Sequence, residues 1–590
     1  MEAMSISEEE PQVVDRGVAP PRPTGPEELS FERRQAVRWF SPSTLARAGI
    51  KVVLSLVLGE YLDKRELQQS LELRLPDKRC ADNDIEDDDM WIDFVADTAD
   101  GFDASYSVAW CVSQRTITVD GQTLPRGDLL VLGGDQVYPF ATAQEYEDRF
   151  HGPYEAALPW IDEKSVRPDP RLLAIPGNHD WYDGLTGFMR MFAQQGWVGG
   201  RKRTQTRSYF AERLPGRFWL WGVDIQNGAY LDTAQIDFFE AAAKLMREGD
   251  RLILCTAKPS WADVREDPHA YDNLAFVEKR LVPDHVTTVL MLSGDKHHYV
   301  RYEAAAPEEP KRARITAGGG GAFLSPTNKV DDKVQVPKPR SADSTVPLKT
   351  AEREQFNLCE RYPSAARSRW LSLRALAVGR YNVSFMAMIA FFYLMLFSAN
   401  WQSFNGIEDP PFIELMVGRG SIASWALIAL MVVLLSAFFD APKSRNKRLR
   451  TPYRVTVGAV HTAAHVAAQG VVAWIALQAQ DHWGAAAMIL CVIVLGGVVG
   501  SVTFGAYLIV AFTLLGRHDT ETFSSFRYEG CKNFLRIHVT AKEVTVYPIG
   551  IDRICRDWVF NPHAAADSSY LAPRDGSIGM RFIEKEIVLE

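Results

Sequence analysis

The sequence predicts an α/β domain joined to a bundle of about four membrane-spanning helices, with a β-hairpin at the C-terminal end. Three observations carry this. From Trp91 to about Leu324, apolar runs such as "WIDFVAD", "DLLVLGGD", "RLLAIPGNHD", "VTTVLMLSGD" and "ARITAGGGG" alternate with helical patterns, the rhythm of an α/β sheet. Four uncharged apolar segments then run from Tyr381 to Trp401, Ile422 to Phe439, Val455 to Gln480 and Gly484 to Gly516, each long enough to cross about 30 Å of hydrocarbon. Beyond them, "NFLRIHVTAKEVTVYPIG" alternates apolar and polar residues about a turn at Thr540 to Glu543.

A chain of 590 residues exceeds one core and divides into roughly three to five units. Residues 1–40 open with "MEAMSISEEEPQVVDRGVAPPRPTGPEE", acidic and proline-rich without the apolar stretch of a secretory signal, and read as a disordered tail. In 41–90, Ser41 and Pro42 read as an N-cap and first helical residue, and Leu45 to Leu62 as a helix. Its apolar part, Val52 to Leu58, is too short to span a bilayer, so it docks on protein or lies in the membrane interface. Residues 91–328 form the α/β domain. Residues 329–366 read as a linker, because Lys329 to Ala351 is rich in Lys, Asp and Pro and shows no periodicity.

In 367–516, Arg367, Arg369, Arg374 and Arg380 precede the first apolar segment, and Lys443, Arg445, Lys447, Arg448, Arg450 and Arg454 precede the third. The other two connections carry Glu408, Asp409, Glu414 and Asp481. The positive-inside rule then places the α/β domain, the basic connection and Glu590 in the cytoplasm of a multi-pass membrane protein. The last segment reads as one long tilted span, since it holds no charge at which a turn could emerge. Residues 517–590 follow, and their hairpin, marginal alone, needs a sheet to join.

The net charge of -9 comes with no uniformly basic face, which excludes a nucleic-acid surface. Seven cysteines, at 80, 111, 255, 359, 491, 531 and 555, form no CxxC pair, which argues for reduced thiols and against a cysteine-built zinc site. His461 and His465 lie one turn apart in the third apolar segment, as a metal or haem pair or as an interhelical hydrogen bond among small residues.

Polar residues gather at the strand exits: Asp97 in "ADTADGFD", Asp135 and Tyr138 in "GGDQVYP", Asn178, His179 and Asp180 in "PGNHD", and Asp295, His297 and His298 in "SGDKHHY". Carboxylate, amide, imidazole and phenolate suit Fe, Mn, Zn or Mg. In order and spacing these motifs resemble the calcineurin-like metallophosphoesterase superfamily, whose pattern runs Asp motif, GDxx(D/Y), GNH(D/E), His motif and GHxH. The resemblance covers Trp91 to about Ser325 and implies a β-sandwich flanked by helices, two metal ions, and hydrolysis of a phosphomonoester or phosphodiester.

The first motif here, Asp97-Thr98-Ala99, lacks the usual histidine and Tyr138 closes GDxxY, similar to the purple acid phosphatase branch. The resemblance implies Asp97, Asp135, Tyr138 and His297 on the first ion, and Asp135, Asn178 and Asp295 on the second. Ala257 and Asp295 stand where the family has histidines, so the second ion is expected to bind weakly. His179, held by Asp180, is expected at the leaving oxygen, with Asp100 and His298 as auxiliaries. The glycine run Gly318 to Gly321 reads as a phosphate approach or a tight turn. The expected function is a membrane-anchored, cytosol-facing phosphoesterase, with a phosphoester substrate and the lipid bilayer as partners. Its alternative is a degenerate fold that binds a phosphorylated ligand for regulation. A transporter or sensor is a third reading, against which the spans hold few ionisable groups.

Overall fold

The computed structural model describes residues 23–44, 68, 75, 89–159, 170–225, 231–305, 311–338, 352–441, 447–562 and 568–590. The helix read over Leu45 to Leu62 lies outside these residues. The fully apolar runs form parallel inner strands, because a strand covered on both faces has no reason to alternate. β1 (Met90–Val95), β2 (Leu129–Leu132) and β3 (Arg171–Ala174) pair in parallel in that order. In a second sheet, β4 (Phe218–Val223), β5 (Arg251–Thr256) and β6 (Thr287–Ser293) are parallel. β7 (Tyr299–Ala304) runs antiparallel to β8 (Ala313–Ala317), which lies parallel beside β6.

The two sheets face each other across a shared core in which Ile92, Phe94, Val131 and Leu173 meet Leu220, Ile253, Leu292 and Ile315. Helix Phe102–Ser113 covers the outside of the first sheet and Thr233–Ala243 that of the second. The result is a β-sandwich with helices on both outer faces.

Residues 329–366 are more than a linker. β9 (Lys333–Pro337) and β10 (Arg353–Tyr362) pair with each other, and β10 pairs with β7, so they extend the second sheet. Polar side chains alternate with buried ones on both strands, β9 at the edge of the sheet and β10 next to it, which removed the continuous apolar signal from the sequence. The tail reading also fails for residues 23–40: Phe31 and Phe40 are buried, and Arg34 pairs with the buried Asp148.

After the apolar helices, β11 (Lys532–Val539) and β12 (Val544–Ile551) pair antiparallel, with Thr540 bonded to Glu543 across the turn. β11 also pairs antiparallel with β1, so a strand from the far end of the chain sits inside the first sheet. The fully buried Arg536 guanidinium bonds both oxygens of Asp93 on β1, at 2.8 and 3.1 Å.

Among the described residues, three helices are long and apolar enough to cross a membrane: α1 (Val383–Phe404), α3 (Lys447–Trp483) and α4 (Ala485–Val510), the last continuing to Leu515. Between α1 and α3 lies α2 (Ile422–Phe438), apolar but only 17 residues long. The glycines of α4 make no turn; they admit α1, and a Cβ on Gly500 would come within 2.4 Å of Ile389. Phe391, Trp425 and Val460 are exposed on these helices, as lipid-facing positions are. His465 shares a 3.0 Å hydrogen bond with Tyr393 of α1, and His461 stacks on Tyr507 of α4 at 3.6 Å between ring centroids, so both rings contact a neighbouring helix.

Candidate functional site

Four of the residues at the strand exits hold backbone conformations that L-residues avoid. Asp97, Asp135, Asp295 and His297 have φ of 58°, 52°, 67° and 43°, each costing of order 1–3 kcal/mol unless its surroundings enforce it. The enforcement is visible. Asp97 accepts hydrogen bonds from the amides of Asp295 at 2.9 Å and His297 at 3.3 Å, tying the exit of β1 to that of β6. Asp135, after β2, accepts the His179 amide at 2.8 Å, tying it to the exit of β3. Close approach requires glycine at two points: a Cβ would lie 2.1 Å from Asp97 Oδ2 at Gly318, and 2.1 Å from Asp135 Oδ1 at Gly177. Gly318 to Gly321 thus serve close packing around Asp97 and Asn533.

Tyr138 is buried in the middle. Its hydroxyl donates to Asp135 Oδ2 at 3.1 Å and lies 3.4 Å from His297 Nε2. The charges are poorly compensated. Burial, then the charges of Asp135 and Asp295, push the Asp97 carboxyl well above its usual range, and burial and Asp295 raise Asp135. Burial lowers His297 well below the ordinary imidazole value, with Lys532 adding to it. A cluster of carboxylates that resist ionisation together marks a place built for positive charge.

The fit to a metal ion is partial. Among the described residues, no group of three or more His, Cys, Asp or Glu side chains is placed to hold one. The donors that do converge include the phenol: Asp135 Oδ2, Tyr138 Oη and His297 Nε2, with Tyr138 at 3.1 and 3.4 Å from the other two. Those spacings match the edges, about 3.0–3.4 Å, between ligands on one ion with bonds of about 2.1 Å. Asp97 stands behind, with Oδ2 3.9 Å from His297 Nδ1.

The second set does not assemble. Asp135 Oδ1 is occupied by the His179 amide, and Asp295 lies 3.8 Å from Lys296 Nζ. Ala257 is at the right place, its Cβ facing Gly134, but brings only a methyl group. Next to it, Lys258 joins Lys296 on the carboxylate of Asp263 at 2.9 and 3.1 Å. Fixed ammonium groups thus lie on this side of the site.

Four expected roles change. Asp180 does not hold the His179 ring; it accepts the amides of Gly177 and Gln136 and the Tyr146 hydroxyl, bracing two loops. His179 Nδ1 instead donates to the Pro139 carbonyl at 3.0 Å, since a carbonyl only accepts, and burial lowers this imidazole to about 4. Its Nε2 is therefore an acceptor at neutral pH, not a proton donor. Asp100 is buried and accepts the Val37 amide at 3.2 Å, so it anchors the N-terminal segment. His298 lines a cleft of about 650 Å³ with Thr316, Ser325 and Lys329, a cleft that excludes Asp97, Asp135 and Tyr138. Asn178 sits beside His179 with its side chain bonded to Tyr182.

Two neighbours of the site had little sequence signal. Trp39 places its ring edge-on, with centroids 6.2 Å from Tyr138, 5.9 Å from His179 and 6.5 Å from Phe323; only the aromatic pair Trp39-Phe40 in a polar tail could have flagged it. Lys532, at the start of β11, is fully buried and donates to the carbonyls of Gly321, Ala322 and Phe323 at 2.6, 3.1 and 2.8 Å. Burial lowers it to about 8.

Fold and site together define a mixed α/β protein with a polar cluster at its strand exits, joined to a helical region long and apolar enough to cross a membrane. No family model matches the chain, and no curated protein does. Among solved structures it is similar to GAP50, the anchor in the inner membrane complex of Plasmodium, at 10% identity over 48% of this chain and 92% of that one, with a TM-score of 0.29. It is also similar to the purple acid phosphatase PPD1 from yellow lupin seeds, at 12% identity over 46% of this chain and 54% of that one, with a TM-score of 0.30.

Proposed function

We propose that the chain is a membrane-anchored phosphoesterase with one principal metal position, formed by Asp135, Tyr138 and His297 with Asp97 behind them. The observation that carries this is the convergence of Tyr138 Oη with Asp135 and His297 amid carboxylates that lack compensating charge. When bound there, a hard ion such as Fe, Mn, Zn or Mg supplies Lewis acidity to the phosphoryl oxygens.

In the hydrolysis, a water oxygen bonds to phosphorus, the ester P–O bond breaks, and a water proton passes to the departing alkoxide. His179 Nε2 accepts a hydrogen bond from water or a protonated phosphate. Lys258 and Lys296 add positive charge on the side where the second set is incomplete. The methyl group of Ala257 in that set favours a second reading, in which the site binds a phosphorylated ligand without turning it over.

The membrane part supports anchoring by parity. β1 and β11 share a sheet, so they lie on one side of the bilayer, and the chain between them must cross an even number of times. The three long helices among the described residues give an odd count, and α2 as a fourth crossing makes it even; its 17 residues span about 25 Å, near the lower limit. The arginines before α1 set that side as cytoplasmic.

Metal analysis of the full chain, with phosphate release from generic mono- and diesters, tests the reading. Tyr138→Phe is expected to lose most of the bound metal and at least about a hundredfold in turnover, or about 2.7 kcal/mol. Wild-type chain that releases no phosphate with any of the four metals would establish the binding reading instead.

A further inference from the structure

A cavity of about 430 Å³ lies among the membrane helices, walled by Phe385, Ile389, Leu434, Phe438 and Phe504. That volume is within the range of small-molecule sites, about 300–1,000 Å³. Its wall toward the soluble domain is made by Trp39, Phe40 and Ser524. Trp39 and Ser524 also line a small cleft with Asp100, Phe323 and Arg527, and Phe323 packs on His297 with ring centroids 4.8 Å apart. Two adjacent residues therefore join membrane and site: Phe40 packs edge-on against Phe385 and Phe504 at 5.3 and 5.9 Å, while Trp39 touches Tyr138 and His179.

The chemistry along this path changes from apolar to polar and charged. The cavity walls are mainly aromatic and aliphatic, whereas the cleft is lined by Arg38 and Arg527 beside Asp100 and Glu529, and among its residues Trp39 Nε1 and Arg527 Nε are buried donors without a hydrogen-bond partner among the described residues. An anion with a hydrocarbon tail satisfies both ends. A water-soluble phosphoester would leave the cavity unused, and a neutral lipid would leave the donors unpaired.

We propose that the substrate is a phosphorylated lipid, whose hydrocarbon chain occupies the cavity while its phosphate passes Trp39 to reach Tyr138 and His179. This rests on the phosphoesterase reading and names its substrate class. The neighbouring helices would deliver such a molecule sideways from the bilayer.

The test uses the full chain in nanodiscs and dodecyl phosphate carrying a diazirine near the end of its chain. Photolysis is expected to place adducts on the cavity-facing residues of α1, α2 and α4, and Leu434→Trp, which fills the cavity, to cut adduct yield by about tenfold or more. Phosphate release is expected to rise by at least about tenfold in kcat/KM from ethyl to dodecyl phosphate. Adducts confined to outward residues such as Val460 and Leu514, with ethyl phosphate turned over as well as dodecyl, would overturn the lipid assignment and leave the phosphoesterase reading standing. Cavity adducts without phosphate release from any ester would overturn the hydrolysis and the substrate assignment together, leaving a lipid-phosphate binding site.

Discussion

Replacing Asp93 by alanine is expected to open the first sheet along the seam between β1 and β11. Asp93 takes Arg536 in two hydrogen bonds and the Gly127 amide in a third, at 3.0 Å. Its removal leaves a guanidinium with no exposure and only the Leu124 carbonyl, at 3.3 Å, as partner. Breaking a buried pair from one side costs about 3–5 kcal/mol, and the orphaned Gly127 N–H adds about 1–3 kcal/mol. Asp93→Ala with Arg536→Met removes the stranded charge and is expected to recover about 2 kcal/mol or more of that loss.

Hydrogen exchange by mass spectrometry on the full chain reads this locally. Peptides covering residues 90–95 and 532–551 are expected to exchange roughly a hundredfold or more faster in Asp93→Ala, and more slowly again in the double variant. Unchanged exchange in Asp93→Ala, or a double variant no better than the single, would refute the claim that this pair holds the C-terminal strand in the sheet.

Other expectations follow from individual contacts. Gly318→Ala puts a Cβ 2.1 Å from Asp97 Oδ2 and is expected to cost about 1–3 kcal/mol, seen as a lowered Tm, whereas Gly579→Ala, with nothing within 4 Å, is neutral. Burial raises the Asp148 carboxyl, but the Glu32 amide and Arg34 outweigh it and leave it below the usual range. The anchor of residues 32–34 is therefore present above about pH 4 and lost as pH falls through the lowered value; limited proteolysis should show that segment released in acid, and in Asp148→Asn at pH 7. Asp100 moves the other way, raised by burial to about 7, so its folded state prefers the protonated form. The Asp100 contribution to stability is full below about pH 4 and declines as pH rises toward 7, by up to about 4 kcal/mol, and Asp100→Asn should flatten that part of the Tm against pH curve.

Sequence periodicity exposes strands that are buried on both faces and hides those that are not. β2, β3 and β6 read as apolar runs because each is covered on two sides, and β1 does so apart from Asp93, which is buried against Arg536. β9 and β10 look like linker because their outer faces meet water and residues 339–351 interrupt them. At the site, Asp135, Tyr138 and His297 could be grouped from their motifs, since each follows a strand whose end the sequence marks. The role of Asp180 could not, because what it braces, Gln136 and Tyr146, is decided by how two loops fold together. Trp39 and Lys532 were hidden for a related reason: they reach the site from segments about 60 residues before it and over 200 residues after it, and no local pattern encodes such meetings.

The placement of β11 between β1 and β12 has a consequence for how the protein is made. β1 leaves the ribosome roughly 440 residues before its antiparallel neighbour, an interval of roughly 20–90 s at ordinary elongation rates of about 5–20 residues per second. Throughout that time one edge of β1 has no strand to pair with, and Lys532 is not yet there to hold the glycine loop behind Asp97. The apolar helices are all synthesised within the same interval. Completion of the sheet, and with it of the Asp97 pocket, therefore follows synthesis of all the apolar helices, so a chain cut short directly after them has no finished site.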